Sequence, residues 1–297
     1  MSETVMTFSG KAGDALHQWP VAWWWAKKTG QKFTCWLEEQ TCKLVAPLFA
    51  SQACVEKVEF KPGIENWNMG GQPWHFNLPT SEYENRTVYH LGLRSFPARP
   101  LTLEAFAQAK VPVTVSHEEL AHTPVFHVEP MPCGVREIPG SAEAPRPLGR
   151  CVLHGQPICI HTKSTPGFWK FLASIARQLD DDFNEIVWVG SSRDREIGLR
   201  TYPQWHQFDD QGDFLKLAQL MAGADLVIGT GSSVASLAGA LKIPCVRVHD
   251  PIGDHPKRIW DNLAHNSIND TEAELRKTWP ELRATFRRPK SVAEVVG

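Results

Sequence analysis

The segment from Asp213 to Val248 most constrains what this chain can fold into, because its pattern alternates between helix and strand. Five apolar residues behind Asp213 fall on one helical stripe: Phe214, Leu217, Leu220, Met221 and Ala224. The stripe predicts a helix with Asp213 as its N-cap. A strand at 226–229, a helix at 234–242 and a strand at 245–248 follow. Short apolar strands that alternate with helices are typical of parallel sheets.

The same alternation runs through the rest of the chain. Strands are predicted at 4–8, 32–36, 55–60, 158–161 and 186–190, and helices at 14–28, 39–50 and 168–179. Segment 139–149 is rich in proline and predicts a linker. We therefore expect an α/β protein with two Rossmann-like domains at 1–138 and 150–270, followed by a helical tail at 271–297. No structure is assigned to 61–100.

Composition excludes several classes of protein. The chain has 297 residues, 42% of them hydrophobic, and a net charge of −2, so no global positive field attracts nucleic acid. Its 7 cysteines include no CxxC pair, which argues against a disulfide framework or a zinc site. No signal peptide and no membrane-spanning apolar run is recognised. We expect a cytoplasmic protein without a transmembrane segment.

Small residues occupy the turn between the strand at 226–229 and the helix that follows it. Gly231, Ser232, Ser233 and Ser236 leave room for an anion to approach backbone N–H groups at a helix N-terminus. A phosphate fits this turn, and so does an ordinary helix start with a serine N-cap. No P-loop is present, and Val234 stands where a dinucleotide-binding fingerprint needs glycine. A dehydrogenase is therefore not expected.

Two further loops follow predicted strands and face the same sheet edge. Lys163 and Ser164 lie before the helix at 168–179, and Gly190 ends the strand at 186–190. Ligands of open parallel sheets bind beyond the carboxyl ends of the strands. These residues are predicted to join the phosphate-binding turn, although Lys163 also fits a solvated surface position.

A general base has two candidate sources. Asp14 follows the first predicted strand and either accepts a proton or only caps its helix. A titratable loop follows the strand at 245–248 and offers His249, Asp254 and His255. The pair Asp180 and Asp182 has a spacing that some transferases use for a metal, but we expect both side chains to be solvated.

Aromatic residues mark two places in the N-terminal half. Trp23, Trp24 and Trp25 are about 100° apart on a helix, so we expect two in the core and one at an interface. An exposed carbohydrate platform is the alternative. Trp67, Trp74 and Tyr89 are candidate acceptor-side residues, because sugar and nucleobase faces both stack on aromatic rings.

These motifs together resemble the bacterial heptosyltransferases, glycosyltransferase family 9. Gly231–Pro244 has the spacing of the family motif D-T-G-x-x-H-x-A-x-A-x-x-x-P, and Gly13–Pro20 resembles its G-D turn. Where the family has Asp, Thr, Gly and His, this chain has Gly231, Ser232, Ser233 and Ser236. The acidic and imidazole groups are absent, and a cradle of small and hydroxyl residues remains.

The resemblance implies a GT-B fold and an inverting, metal-independent glycosyltransferase that uses a nucleotide-sugar donor and no cofactor. It implies Asp14 as the base, and the donor diphosphate over 231–233 beside Lys163. The implied acceptor is a bacterial surface glycan bound by the N-terminal domain. Three alternatives stay open: a transferase acting on a hydroxylated DNA base, a non-catalytic sugar-nucleotide-binding protein, and an epimerase of the same fold.

Overall fold

The computed structural model describes residues 2–62, 78–92, 101–133, 148–155, 165–230, 233–248 and 267–286. They form two parallel β-sheets with helices packed against them, which confirms the predicted α/β class with two Rossmann-like domains. Among the helices in these ranges, none is long and apolar enough to cross a membrane.

The N-terminal sheet has the strand order β3-β2-β1-β4, with every pairing parallel. Its strands are β1 (Glu3–Phe8), β2 (Phe33–Glu38), β3 (Val55–Lys61) and β4 (Arg86–His90). The helices of this half are α1 (Ala12–Thr29), α2 (Ala46–Ala50), α3 (Leu101–Ala109) and α4 (His117–His122), with 3₁₀ turns at Lys43–Val45 and Thr80–Glu82. Strand β4 lies in the segment to which the sequence assigned no structure.

The C-terminal sheet has the order β10-β9-β8-β5-β6-β7 and is also parallel. Its strands are β5 (Leu148–His154), β6 (Phe183–Trp188), β7 (His206–Gln207), β8 (Leu226–Gly229), β9 (Cys245–Val248) and β10 (Ser267–Asp270). The helices are α5 (Thr165–Asp182), α6 (Ser192–Thr201), α7 (Phe214–Ala222), α8 (Ser233–Leu241) and α9 (Glu272–Phe286).

Local sequence signals place several of these elements correctly. The Asp213 side chain accepts a hydrogen bond from the Leu215 N–H at 2.8 Å, which confirms the N-cap of α7, and the apolar stripe behind it is buried. Strands β8 and β9 coincide with the predicted ones. The sequence analysis missed β5, which begins inside the predicted linker. The strand expected at 158–161 lies outside the described residues.

The three successive tryptophans of α1 differ from expectation. Trp23, Trp24 and Trp25 are all buried, with relative exposures of 8%, 2% and 4%. Helix α1 lies between its own sheet, α3 and α8, so that nearly its whole circumference is covered. All three tryptophans are therefore in the core, where two were expected, and the alternative of an exposed carbohydrate platform is wrong.

One apolar cluster extends through both domains. It joins Phe8 and Trp19 of the N-terminal half to Leu217 and Leu237 of the C-terminal half. The Val125 N–H also donates across the domains to the Ala240 carbonyl at 3.0 Å. The two domains are therefore held together by a shared apolar core.

The last helix packs on the C-terminal domain. The indole N–H of Trp279 donates to Gln178 of α5 at 2.6 Å, and Arg283 pairs with Asp182 at 2.5 Å. Asp182 is 1% exposed, so the expectation that it is solvated is wrong. The neighbouring Asp180 accepts the indole N–H of Trp205 at 2.7 Å. Both aspartates of the possible metal motif therefore have structural partners.

Candidate functional site

Each sheet has one point where the strand order reverses direction. In the C-terminal sheet, β5 lies between β8 and β6; β6 and β7 continue on one side, and β8, β9 and β10 on the other. In the N-terminal sheet the same reversal occurs between β1 and β4. Open parallel sheets bind ligands in the crevice at the carboxyl ends of the two strands at such a switch point.

The turn singled out for phosphate binding lies at the C-terminal switch point. Ser233 is the first residue of α8, which starts directly after the β8 turn. Four of the predicted donor-contact residues, Lys163, Ser164, Gly231 and Ser232, lie outside the described residues. Strands β5 and β8, which precede these predicted residues in the chain, are paired neighbours in the sheet.

Thr230, which the sequence analysis did not select, lies at the end of β8. Its N–H donates to the His154 carbonyl at 3.1 Å, which ties the β8 turn to the end of β5. The side chain is 1% exposed, and its Oγ1 has no hydrogen-bond partner among the described residues. A buried hydroxyl without a partner is unusual in a folded protein. Here it borders the crevice in which a ligand is expected.

His154 is a second residue that the sequence analysis missed, because it ends the overlooked strand β5. Its ring lies under Gly190, where an added Cβ would come within 2.9 Å of the imidazole and 3.1 Å of the Asp194 carboxylate. Gly190 also has a φ of 114°, in the left-handed region. Burial lowers the pKa of His154, and the nearby Asp194 charge opposes this shift. A neutral histidine thus supports the turn at Gly190.

Asp194 also organises the start of α6. One of its carboxylate oxygens accepts the Ser191 N–H at 3.0 Å and the Ser191 hydroxyl at 2.7 Å. Arg195 donates to the Gly190 carbonyl at 2.7 Å. These bonds fix the turn after β6 beside the switch point, where Gly190 was predicted to contact the donor.

The helix starts of the two domains lie side by side. A Cβ built on Gly13 of α1 would lie 3.6 Å from the Cβ of Ser233 of α8, which is ordinary van der Waals contact. One turn further on, the His17 Nε2 lies 2.9 Å from the Ser236 Oγ. The two helices therefore run side by side in the same direction, with their N-termini together. Ser236 is 7% exposed and faces His17.

Asp14 lies at this junction, in the first turn of α1. Its Oδ2 accepts a hydrogen bond from the Lys11 N–H at 2.9 Å, so the residue does cap its helix. Burial raises the pKa of Asp14, against the smaller lowering effects of that bond and of the Lys11 charge. A carboxylate with a raised pKa is a stronger base than an exposed one. Capping and proton acceptance are therefore compatible at this residue.

The N-terminal switch point carries polar groups as well. His90 ends β4, and its Nδ1 lies 3.1 Å from the Thr7 hydroxyl of β1. Ser9 follows β1; it is 2% exposed, and its Oγ has no partner among the described residues. Tyr89, a predicted acceptor-side residue, lies on the helix-covered side of the sheet, with its ring 6.3 Å from that of Trp25.

Several predicted residues cannot be placed. Trp67 and Trp74 lie outside the described residues, as do the alternative bases His249, Asp254 and His255. Within the ranges that the structure covers, no group of three or more His, Cys, Asp or Glu side chains is arranged to hold a metal ion.

Comparison with known proteins defines the architecture. No protein-family model and no curated protein matches the sequence. Solved structures do match. Heptosyltransferase II of E. coli superposes with a TM-score of 0.60 over 96% of this chain and 100% of its own, at 12% identity. E. coli heptosyltransferase WaaC with ADP gives 0.59 over 94% and 99%, also at 12% identity.

A family 9 glycosyltransferase from Veillonella parvula gives a TM-score of 0.57 over 98% of this chain and 90% of its own, at 13% identity. The chain has the GT-B fold. The resemblance seen in the sequence is confirmed for the architecture, and the GT-B arrangement explains why the two switch points face one cleft. At identities of 12% to 13%, the structural similarity establishes the fold alone.

Proposed function

We propose that this GT-B protein is a glycosyltransferase that moves a sugar from a nucleotide-activated donor to an acceptor hydroxyl. One observation carries the proposal. The start of α8, at the C-terminal switch point, lies beside the start of α1, which carries Asp14: a Cβ added to Gly13 would meet Ser233 at 3.6 Å. A site for an anionic leaving group and a site for a base therefore meet at one place in the cleft.

The donor diphosphate is assigned to the start of α8. Backbone N–H groups at a helix N-terminus and the helix dipole stabilise an anion, and α8 has no acidic residue in its first turn. Ser233 and the Thr230 hydroxyl supply donors from the described residues. Lys163, Ser164, Gly231, Ser232 and Gly190 complete the proposed set. Ser236, which the sequence analysis also predicted as a donor contact, is left out because its hydroxyl is bonded to His17. Because one of the similar structures holds ADP, ADP is the first nucleotide to test.

The chemistry follows from the two helix starts. Asp14 takes the proton of the acceptor hydroxyl, whose oxygen forms a new bond to the anomeric carbon from the face opposite the leaving group. The bond between that carbon and the phosphate oxygen breaks, and its electron pair leaves with the nucleoside diphosphate. The charge that grows on the diphosphate is stabilised by α8 and Lys163. This route inverts the anomeric centre and needs no metal.

The acceptor is assigned to the N-terminal switch point, between β1 and β4. Ser9 and His90 border it, and Trp67 and Trp74 belong to the proposed acceptor side. A glycan hydroxyl is the proposed acceptor group. The alternative acceptor, a DNA base, needs a basic stripe. Among the described residues, the guanidinium groups of Arg86 and Arg283 already have carboxylate partners, Glu3 at 2.7 Å and Asp182 at 2.5 Å.

A thermal-shift screen tests the donor assignment. The protein is heated with ADP, UDP, GDP, CDP and their sugar conjugates, with NAD as a comparison. A ligand at 100 times its Kd adds about 2.7 kcal/mol to the free energy of unfolding. We expect one nucleoside diphosphate to raise the Tm, and Ser233→Asp to abolish that rise, because its carboxylate occupies the anion position at the start of α8.

Ser116→Asp is the matched control, since it adds the same charge at the exposed N-cap of α4 and should leave the ligand-induced shift intact. Lys163→Ala should weaken the shift as well. A Tm that responds to no nucleoside diphosphate, or only to NAD, would contradict the proposal. A nucleotide that binds without any turnover would support the non-catalytic sugar-nucleotide-binding alternative.

A further inference from the structure

The contact between α1 and α8 contains a buried polar cluster that the proposed chemistry does not use. The His17 Nε2 lies 2.9 Å from the Ser236 Oγ, and its Nδ1 lies 3.2 Å from the Thr102 Oγ1 of α3. His17 is 6% exposed. Both ring nitrogens therefore have hydroxyl partners, one from each of two neighbouring helices, inside an otherwise apolar interface.

The cluster borders a cavity of about 30 Å³, room for about one water molecule. Leu16, Pro20 and Val125 supply apolar parts of its lining. The charged groups that face His17 are Lys242, which shares the cavity, and Arg247 of β9. Burial, and secondarily the Arg247 charge, lower the pKa of His17 to about 3. The ring is therefore neutral at physiological pH.

A buried polar pair adds little stability compared with apolar side chains of the same shape, but it fixes position. Asp14 lies one turn before His17 on α1, and Ser233 lies one turn before Ser236 on α8. A shift of either helix along the other would disturb the hydrogen bond between His17 and Ser236, and it would displace Asp14 relative to the start of α8 by the same distance.

We propose that His17 is a positioning residue, which sets the distance between Asp14 and the donor site by bonding α1 to α8 through Ser236. The proposal rests on the function assigned above to Asp14 and α8. His17 itself does not touch the reacting atoms. Misplacement of a reacting group by about 1 Å can cost roughly 100-fold in rate, so a single well-placed bond is sufficient for the effect.

The test removes all three polar groups together, so that none of the three is left facing a partner from which its hydrogen bond has been removed. The variant is His17→Leu/Thr102→Val/Ser236→Ala, and Ser174→Ala/Thr278→Val is a control that removes hydroxyls bonded within their own helices. We expect the triple variant to keep its Tm, and its Kd for ADP should change by no more than about threefold. The rate at which it splits the sugar-nucleotide donor into sugar and nucleoside diphosphate should fall by about tenfold or more.

A second measurement reports the helix spacing whether or not sugar is transferred. The Cβ positions at 13 and 233 are 3.6 Å apart, which suits a disulfide. The double substitution Gly13→Cys/Ser233→Cys is made both in the otherwise unchanged protein and in the triple variant, and each protein is oxidised. Variants with only one of the two introduced cysteines serve as controls, and cross-linking is followed by mass spectrometry. We expect rapid cross-linking when His17 is intact and severalfold slower cross-linking in the triple variant.

Equal cross-linking rates in both backgrounds would overturn the positioning role. A triple variant that splits the sugar-nucleotide donor as fast as the unmodified protein would overturn it as well. If the unmodified protein binds no nucleotide or releases none, the proposed function fails, and the cross-linking rates alone then decide whether His17 fixes the spacing.

Discussion

The helices that start at the two switch points differ in their first turns. Helix α1 carries Asp14 there, and this carboxylate accepts the Lys11 N–H at 2.9 Å. Helix α8 has no acidic residue in its first turn. The positive end of α1 is thus partly neutralised by its own side chain, whereas that of α8 is left for an external anion. Charge in the first turn, not fold position, distinguishes the proposed base site from the proposed anion site.

Among the described residues, the two switch points share two features. Each has a buried hydroxyl without a partner among the described residues, Ser9 in one sheet and Thr230 in the other. Each also has a histidine at the end of a strand that borders the crevice, His90 or His154. The proposed division of labour between the domains therefore depends on Asp14, and the following experiments address it.

The largest effect is expected from Asp14→Asn, which gives α1 an uncharged start like that of α8. We expect turnover of the sugar-nucleotide donor to fall by about 100-fold to 10,000-fold, because a general base is lost. Binding of ADP, measured by calorimetry, should not weaken. Asp213→Asn is the control, because it makes the same change at the N-cap of α7. Full turnover in Asp14→Asn would show that Asp14 is not the base, and that its charge does not distinguish the two helix starts in function.

A smaller effect is expected from Gly190→Ala, which changes the support under the C-terminal switch point. The added Cβ meets the His154 ring at 2.9 Å, and the φ of 114° is strained for alanine. We expect a loss of about 3 kcal/mol in the free energy of unfolding. Gly30→Ala is the matched control: its φ is 69°, but no atom lies within 4 Å of the added carbon. It should cost about 1 kcal/mol, from the left-handed backbone alone. Equal losses in urea unfolding would show that His154 does not support the turn.

A third effect concerns acid stability at the junction of α1 and α8. The folded-state pKa of His17 is about 3, below the value of about 6.5 for an unfolded histidine. Between these values the unfolded chain binds a proton that the folded chain does not. Stability from this residue is therefore complete above about pH 6.5 and is lost as the pH falls, with roughly 2 kcal/mol lost at pH 5.

His17→Gln keeps a hydrogen-bonding side chain but does not titrate. Urea unfolding at pH 7 and pH 5 should show a smaller pH dependence for this variant, by roughly 2 kcal/mol. His122→Gln replaces an exposed histidine of α4 and serves as the control. An unchanged pH dependence in His17→Gln would mean that the imidazole is not buried in solution, and that the two helix starts are not held together as the structure has them.

Much of the architecture is predictable because it depends on short-range patterns. The stripe behind Asp213 defines α7, and the apolar runs of β8 and β9 are bounded by turn residues. The strand β5 was missed because its first residues lie inside the proline-rich segment. The turn at Gly231 and the position of Asp14 mark both helix starts, since small residues and an N-terminal carboxylate are local signals.

The tertiary structure alone decided which of these starts meet and which side chains are buried. Ser236 and His17 are 219 residues apart in sequence, and no local pattern pairs them. The burial of all three tryptophans follows from helices on several sides of α1, and the pairing of Asp182 with Arg283 requires α9 to return to α5. The spacing of apolar residues in the sequence indicates which face of a single helix or strand is buried. The burial and the pKa of a residue depend on every element that packs around it. The sequence by itself therefore determined the two domains and the helix starts, and the packing between the domains determined how Asp14, His17 and α8 are arranged.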